Sequence, residues 1–122
     1  MNTEEMKTYT KEFAKRAIRL CRRLPATRDG RLVGDQLFRS ATSVGANYRA
    51  ACRARSRADF ISKLGIALEE ADETHFWLEI ISEERIVDPG LVSELLENAN
   101  ALMAILVASI NTAKQGKGSR PG

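Results

Sequence analysis

The sequence contains few of the residues that form turns, disulfide frameworks or metal sites. Of its 122 residues, three are proline and eight are glycine, and aromatic residues make up 6%. An all-β fold needs many turns and many aromatic strand residues, so this composition argues against one. The two cysteines, Cys21 and Cys52, are too few for a disulfide framework and lack the spacing of metal ligands. We expect both to pack as small apolar groups.

Long hydrophobic runs are also missing. No uninterrupted apolar stretch approaches the roughly 18 residues of a membrane-spanning helix, and the N-terminal segment MNTEEMKTYT lacks the apolar core of a signal peptide. The sequence therefore predicts a cytoplasmic protein without a membrane partner. Its length is that of one domain, which buries roughly 65% of the surface that the unfolded chain exposes.

Histidine occurs once, as His75, which limits the available catalytic chemistry. Asp72 and His75 have the i, i+3 spacing of di-iron carboxylate bundles, but such a site needs this pair twice, so the number of ligands excludes it. Pairs of Ser or Cys with His would all depend on the same imidazole. The motifs of dinucleotide-binding folds, phosphate-binding loops and zinc proteases are missing as well. We predict a protein that is not an enzyme and holds no cofactor or metal.

Helical periodicity is what the sequence does contain, since apolar residues recur at steps of three and four in four segments. The predicted helices cover about residues 3–24, 31–54, 57–86 and 89–114. Residues 115–122 are predicted to be a disordered tail. Asn2 and Glu5 have the form of a capping box for the first helix, and Asp88-Pro89 has that of an N-cap and first position for the fourth. Near-equal lengths and short connections predict an all-α, antiparallel up-down four-helix bundle.

Two connections between the predicted helices rest on different signals. Thr27-Arg28-Asp29-Gly30 is predicted to be a turn in which Gly30 is free to adopt a positive φ. Near Arg55-Ser56 no proline or glycine forces a turn, although Ser56 and Asp59 can cap a new helix. One continuous helix over residues 31–86 therefore stays open as an alternative. Gly45 and Gly65 fall inside predicted helices, where close approach of two backbones would offset the cost of about 1 kcal/mol each.

The fourth predicted helix is apolar on most of its sides. One seam is assigned to the core: Val92, Leu96, Ala99, Met103, Leu106, Ile110 and Ala113. Further apolar residues lie outside this seam: Leu91, Leu95, Leu102 and Ile105. A helix that is apolar beyond one stripe needs a second surface to bury it. We therefore interpret the second set as a homo-oligomer interface.

The charges divide unevenly between the two halves of the chain. Residues 1–63 contain 15 basic and 6 acidic residues, whereas residues 64–122 contain 4 basic and 10 acidic ones, so the net charge of +3 hides a strong asymmetry. Such asymmetry indicates a polyanionic partner. The alternative is that the two halves neutralise each other within one bundle or between copies of it.

The basic residues form candidate nucleic-acid-binding faces on the first two helices. Most of them are arginines, whose planar guanidinium binds phosphate through two hydrogen bonds. The candidates are Lys15, Arg19 and Arg22 on the first helix, Arg49 and Arg53 on the second, and Arg55 and Arg57 just beyond it. No RNA-reading motif and no aromatic stacking platform is present, so contacts would be to the backbone and shape of RNA or DNA. The last four could equally pair with the acids of the third helix.

Two motifs resemble a known family. The segments LFRSATSVGANYR at 37–49 and DFISKLGIALEE at 59–70 are similar to four-helix-bundle proteins encoded in intervening sequences of bacterial 23S ribosomal RNA genes. The same family includes the accessory variability protein of diversity-generating retroelements. The motifs lie within residues 37–81 and the helix pattern covers nearly the whole chain. Where the family often has an acid after its Asn-Tyr pair, this chain has Ala50 and Ala51.

The resemblance implies an up-down bundle assembled into a ring of five subunits. It also implies a basic protein that partners a reverse transcriptase and nucleic acid in the retroelement members, whereas most other members have no established activity. We therefore expect a non-enzymatic oligomeric bundle that binds structured RNA or DNA through its basic faces, as an accessory to a reverse transcriptase. The alternative is a protein-interaction scaffold whose basic and acidic halves pair between subunits.

Overall fold

The computed structural model describes residues 1–116 as four α-helices with no strand in that range. The helices are α1 (Thr3–Arg23), α2 (Arg28–Cys52), α3 (Arg57–Glu83) and α4 (Ser93–Lys114), and a 3₁₀ turn at Pro89–Leu91 precedes α4. The all-α prediction is confirmed. Most of the predicted tail lies outside the described residues.

Capping side chains fix where α1 and α3 begin. At α1, the Glu5 backbone N–H donates to Asn2 Oδ1 at 2.8 Å and the Asn2 N–H donates to Glu5 Oε1 at 3.0 Å, so the predicted capping box is confirmed. At α3, the Asp59 N–H donates to Ser56 Oγ at 3.0 Å. This cap ends the alternative of one continuous helix, because α2 stops at Cys52 and α3 starts at Arg57.

The start of α2 differs from the prediction. The helix begins at Arg28 rather than Arg31, and Thr27 is its N-cap, accepting a hydrogen bond from the Gly30 N–H. The predicted positive φ at Gly30 is wrong, since Gly116 is the one glycine with a positive φ among residues 1–116. Gly30 is needed for space instead, because a Cβ there would lie 2.2 Å from the Pro25 carbonyl oxygen.

The end of α3 and the start of α4 are also shifted. Helix α3 ends at Glu83, three residues earlier than predicted, where Arg85 adopts a φ of 50° and the Ile86 N–H donates to the Ile81 carbonyl. Arg85, in the left-handed conformation, ends the helix, and the sequence has no glycine here that would have indicated the helix end. Asp88 and Pro89 cap the 3₁₀ turn as predicted, but the α-helix starts only at Ser93.

The bundle core consists of one apolar stripe from each helix. On α3 the buried residues follow the predicted steps of three and four: Phe60, Leu64, Ala67, Ala71, Thr74, Leu78 and Ile81. On α4 the buried set is Val92, Leu95, Ala99, Leu102, Leu106, Ile110 and Ala113. Leu96 and Met103, assigned to the core from the sequence, are only partly buried. The other five residues of the predicted seam are buried, so the error is confined to two positions. Because α4 is apolar on most sides, Leu95 and Leu102 fit the core as well as their neighbours Leu96 and Met103, and packing buries Leu95 and Leu102.

Helix α4 is also long and apolar enough to resemble a membrane span. Within residues 1–116, the stretch Pro89–Lys114 is the one helix that passes a length and composition test, with mean hydropathy 1.5. The sequence shows no uninterrupted apolar run here, because polar residues such as Glu94, Glu97 and Asn98 divide the stretch. Length and composition are the whole of this test, and 28% of the tested window is buried inside the bundle.

The four helices pack unequally. Helix α2 packs extensively on α1 and α3, and α3 packs on α4, whereas α1 and α4 contact each other sparingly. Gly45 allows the close approach of α2 to α1, since a Cβ there would lie 3.3 Å from Thr10 Oγ1. Gly65 has no such role, because nothing lies within 4 Å of its Cβ position. The weak α1–α4 contact leaves a groove along one side of the bundle.

Candidate nucleic-acid interface

Four of the predicted basic residues meet at the connection between α2 and α3. Arg49 lies in the last turn of α2, Arg53 is its C-cap, and Arg55 and Arg57 follow within four residues. All four side chains are exposed. The short connection brings them to one end of the bundle, which we call the α2–α3 arginine cluster.

The α2–α3 arginine cluster carries uncompensated positive charge within the single chain. None of its four guanidinium groups has an ion-pair partner among residues 1–116. The acids of α3 are partly engaged elsewhere: Glu70 and Glu73 pair with Arg39, and Glu79 lies 3.4 Å from His75 Nδ1. Within one chain, therefore, the alternative that α3 acids pair with these four arginines does not occur.

The other predicted basic residues lie apart from this cluster. Lys15 Nζ pairs with Glu12 at 2.8 Å, Arg19 lines a cavity facing α4, and Arg22 lies in the last turn of α1. The end of α1 and the end of α2 are at opposite ends of the bundle, separated by the length of α2, about 36 Å. The seven predicted residues do not form one site.

Neighbouring ionisable groups set the electrostatics of these surfaces. A hydrogen bond from Lys15, and its charge, hold the pKa of Glu12 below its usual value. Next to the α2–α3 arginine cluster, burial raises the pKa of Tyr48 to about 12, with the nearby Cys52 as a smaller cause. A tyrosine is already neutral at physiological pH, and the raised pKa keeps Tyr48 neutral in more alkaline solution as well, so it adds no negative charge beside the arginines.

Sequence reasoning missed two sets of arginines. Arg39 Nη1 lies 3.2 Å from both carboxylate oxygens of Glu70, and Arg39 also pairs with Glu73, so it links α2 to α3. The sequence signal for these ion pairs was the i, i+3 spacing of Glu70 and Glu73 on α3. Arg23, Arg28 and Arg31 are exposed beside the α1–α2 connection, and the signal for them was their proximity in sequence to Arg22 across Pro25.

The residues predicted for an oligomer interface divide into two groups. Leu95 and Leu102 are 4% and 0% exposed inside the single chain, so their assignment to an interface is wrong. Leu91 is 42% exposed and lines a cavity of about 420 Å³ in the α1–α4 groove. Ile105 is partly buried and lines another cavity, of about 640 Å³, further along the same side. These two residues stay available to a second surface.

The groove between α1 and α4 is apolar at its base, and the charge of its rim changes from one end to the other. Tyr9 Oη donates to Asn98 Oδ1 at 3.4 Å, and Arg16 pairs with Glu94, and these are the polar links across it within the described residues. A cavity of about 550 Å³ next to Tyr9 and Phe13 has an acidic rim of Glu4, Glu5 and Glu12. The neighbouring cavity towards the other end has Arg16, Arg19 and Arg23 on its rim, together with Glu94, the partner of Arg16.

Comparison with known proteins identifies the family. The family described as 23S rRNA-intervening sequence protein matches residues 4–108, which is most of the chain. The chain belongs to this family. A crystal structure from Bacteroides thetaiotaomicron is similar over 92% of this chain and 100% of that one, with 36% identity and a TM-score of 0.85. It is described as a protein of unknown function from the S23 ribosomal protein family. No curated protein matches the chain.

Membership of the 23S rRNA-intervening sequence family confirms the resemblance drawn from residues 37–81. The match begins in the first turn of α1 and ends within α4, so it includes all four helices. Both basic ends of α2 lie inside the matched range.

Proposed function

We propose that this 23S rRNA-intervening sequence protein is a non-enzymatic, oligomeric helical bundle that binds structured RNA or DNA. The observation that carries the proposal is the α2–α3 arginine cluster, with four exposed guanidinium groups that have no ion-pair partner within residues 1–116. Four unpaired like charges within nine residues repel one another. A phosphate backbone relieves this repulsion and accepts the paired hydrogen bonds of guanidinium.

The expected binding is to the backbone rather than to bases. Arginine contacts to phosphates release condensed counterions, which makes affinity fall steeply as salt concentration rises. Sequence reading would require side chains placed in a groove or on unstacked bases. The α2–α3 arginine cluster contains no aromatic residue. We therefore propose recognition by charge and shape.

The test is fluorescence anisotropy with a labelled structured RNA and a duplex DNA at about 50 and 200 mM salt. We expect the native chain to bind with a steep salt dependence. The double substitution Arg49→Glu and Arg53→Glu is expected to weaken binding at least tenfold and to reduce the salt slope by about 2. The double substitution Lys11→Glu and Arg85→Glu, which changes net charge equally at other exposed positions, is the matched control.

Two results would contradict this site assignment. One is a native chain that binds neither probe at low salt. The other is an Arg49→Glu, Arg53→Glu variant that binds as well as the control variant. Circular dichroism and the mass of the assembly must be unchanged in both variants, so that lost binding is not lost structure.

We propose that the chain assembles into a ring of five copies, as the resemblance implies. The support within the chain is the α1–α4 groove, where Leu91 and Ile105 are available to a second surface. The net charge of the two halves, +9 and −6, favours contacts between unlike surfaces of neighbouring copies. Native mass spectrometry at micromolar concentration tests this, and a monomer at every concentration would contradict it.

A protein-interaction scaffold is the second candidate function, favoured by the acidic-to-basic rim of the α1–α4 groove. A reverse transcriptase is the protein partner that the resemblance implies, and co-purification with a co-expressed reverse transcriptase tests it. Complex formation by a chain that binds no nucleic acid at low salt would establish the scaffold in place of the nucleic-acid-binding bundle.

A further inference from the structure

A second group of arginines lies at the opposite end of α2. Arg22 and Arg23 end α1, Arg28 and Arg31 begin α2, and four residues connect the two helices. All four side chains are exposed, and none has an ion-pair partner within the described part of the chain. We call this group the α1–α2 arginine cluster. Arg31 Nη1 donates to the Ala26 carbonyl at 2.7 Å, which holds that guanidinium against the connection.

The two arginine clusters share one face of α2. Arg31 and Arg49 are 18 residues apart, which is five whole turns of an α-helix, so they project in the same direction about 27 Å apart. Arg28 and Arg53 are 25 residues apart, within about 20° of seven whole turns, and about 37 Å apart. The α2 face therefore carries positive charge at both ends.

Within residues 1–116, opposing charge beside that face between the clusters is limited to Asp35 in the stripe and to Glu70 and Glu73 of α3, which pair with Arg39. Asp35, about one turn beyond Arg31, is the acidic residue of this stripe. Asp29 lies within the α1–α2 arginine cluster, where a hydrogen bond with the Thr27 hydroxyl, together with one from the Gly30 N–H, keeps its pKa low. The Asp29 carboxylate thus interacts with the N-terminus of α2, and the four arginines of the cluster leave the local net charge positive.

We propose that one nucleic-acid duplex lies along α2 and contacts both arginine clusters, about one helical turn apart. A B-form DNA duplex returns the same groove to the same side after 34–36 Å, close to the 37 Å between Arg28 and Arg53. The inference rests on the proposed function and adds a second contact point to it. A single strand is disfavoured because Phe38 is the one exposed aromatic on this face of α2, whereas single-strand binding uses successive aromatic platforms.

Probe length is the variable that tests this arrangement. A hairpin-closed duplex of about 6 base pairs spans roughly 20 Å and reaches one cluster, whereas about 16 base pairs span roughly 54 Å and reach both. We expect the native chain to bind the longer duplex at least tenfold more tightly, because the second contact becomes intramolecular. Each length is measured as RNA and as DNA, since phosphates are common to both.

The deciding variant is Arg28→Glu with Arg31→Glu. We expect it to bind the longer duplex at least tenfold more weakly than the Lys11→Glu, Arg85→Glu control, while binding of the shorter duplex changes less than about threefold. The fold should persist, because acidic residues are favourable in the first turn of a helix. Circular dichroism checks this point.

Several results would overturn the inference while leaving the α2–α3 arginine cluster in place. These are equal affinity of the native chain for both lengths, equal binding by the Arg28→Glu, Arg31→Glu variant and the control, or tighter binding of a single strand of matched length. Absence of binding to every probe would overturn the proposed function and this inference together.

Discussion

Gly30 and Gly65 are both helical glycines, but their surroundings impose opposite constraints. A Cβ on Gly30 would lie 2.2 Å from the Pro25 carbonyl oxygen, whereas a Cβ on Gly65 would have no neighbour within 4 Å. The first contact is with backbone at a connection of four residues, which cannot move without shifting the start of α2. At position 65, the only effect of the glycine is a lower helix propensity than that of alanine.

The matched pair of substitutions should therefore have effects of opposite sign. We expect Gly30→Ala to lower the free energy of unfolding by about 1–3 kcal/mol through overpacking, and Gly65→Ala to raise it by up to about 1 kcal/mol. Urea unfolding followed by circular dichroism measures both. A stabilised Gly30→Ala chain would show that the α1–α2 connection is looser than described.

At the scale of elements, α4 and the turn before it have leucines both in the core and on the exposed side. Leu102 is completely buried, while Leu91, in the turn that precedes the helix, is 42% exposed. A glutamate at position 102 would bury a carboxyl group without a partner and lose the packing of the leucine, and these costs together are large beside the marginal stability of a small domain. A carboxylate at position 91 stays in contact with water in the single chain.

Two leucine substitutions separate folding from assembly. We expect Leu102→Glu to abolish the cooperative thermal transition, and Leu91→Glu to keep the helical circular dichroism signal while shifting the chain to a smaller assembly. Light scattering after size-exclusion chromatography gives the mass. If the Leu102→Glu chain folds, the assignment of Leu102 to the core is wrong. If the Leu91→Glu chain assembles fully, the interface lies elsewhere than at this end of the groove.

On the scale of the whole molecule, α1 is attached mainly from one side. It packs on α2 through Thr10 and Gly45 and has sparse contacts with α4. Helix α3, by contrast, packs on both α2 and α4 and joins α2 through a buried hydrogen bond of 3.0 Å from Thr74 Oγ1 to Ser40 Oγ. Local stability follows the number of packed neighbours.

Hydrogen exchange should report this difference. We expect the amides of residues 6–20 to exchange faster than those of residues 64–81, and faster still in Leu91→Glu, because loss of assembly would uncover the α1–α4 groove. Mass-spectrometric exchange on the native chain and the variant measures both effects. Equal protection of α1 and α3 in a monomeric variant would contradict the one-sided attachment of α1.

The sequence by itself determined those features that depend on neighbours a few residues away. The Asn2–Glu5 capping box and the Ser56 cap are local hydrogen bonds, so residue type and spacing suffice to place them. The α3 seam was equally readable, because its residues from Phe60 to Ile81 recur at steps of three and four. The family resemblance followed from contiguous motifs in α2 and α3.

The tertiary structure decided what depends on contacts between distant segments. Leu95 and Leu96 are adjacent apolar residues, as are Leu102 and Met103, so only packing against the other helices could assign Leu95 and Leu102 to the core. The space at Gly30 is taken by Pro25, and no turn preference encodes that contact. Arg39 meets Glu70 and Glu73 across more than 30 residues, and both ends of α2 gain arginines from neighbouring helices. Such placements arise from the antiparallel order of the helices, which brings together charges that are far apart in the chain.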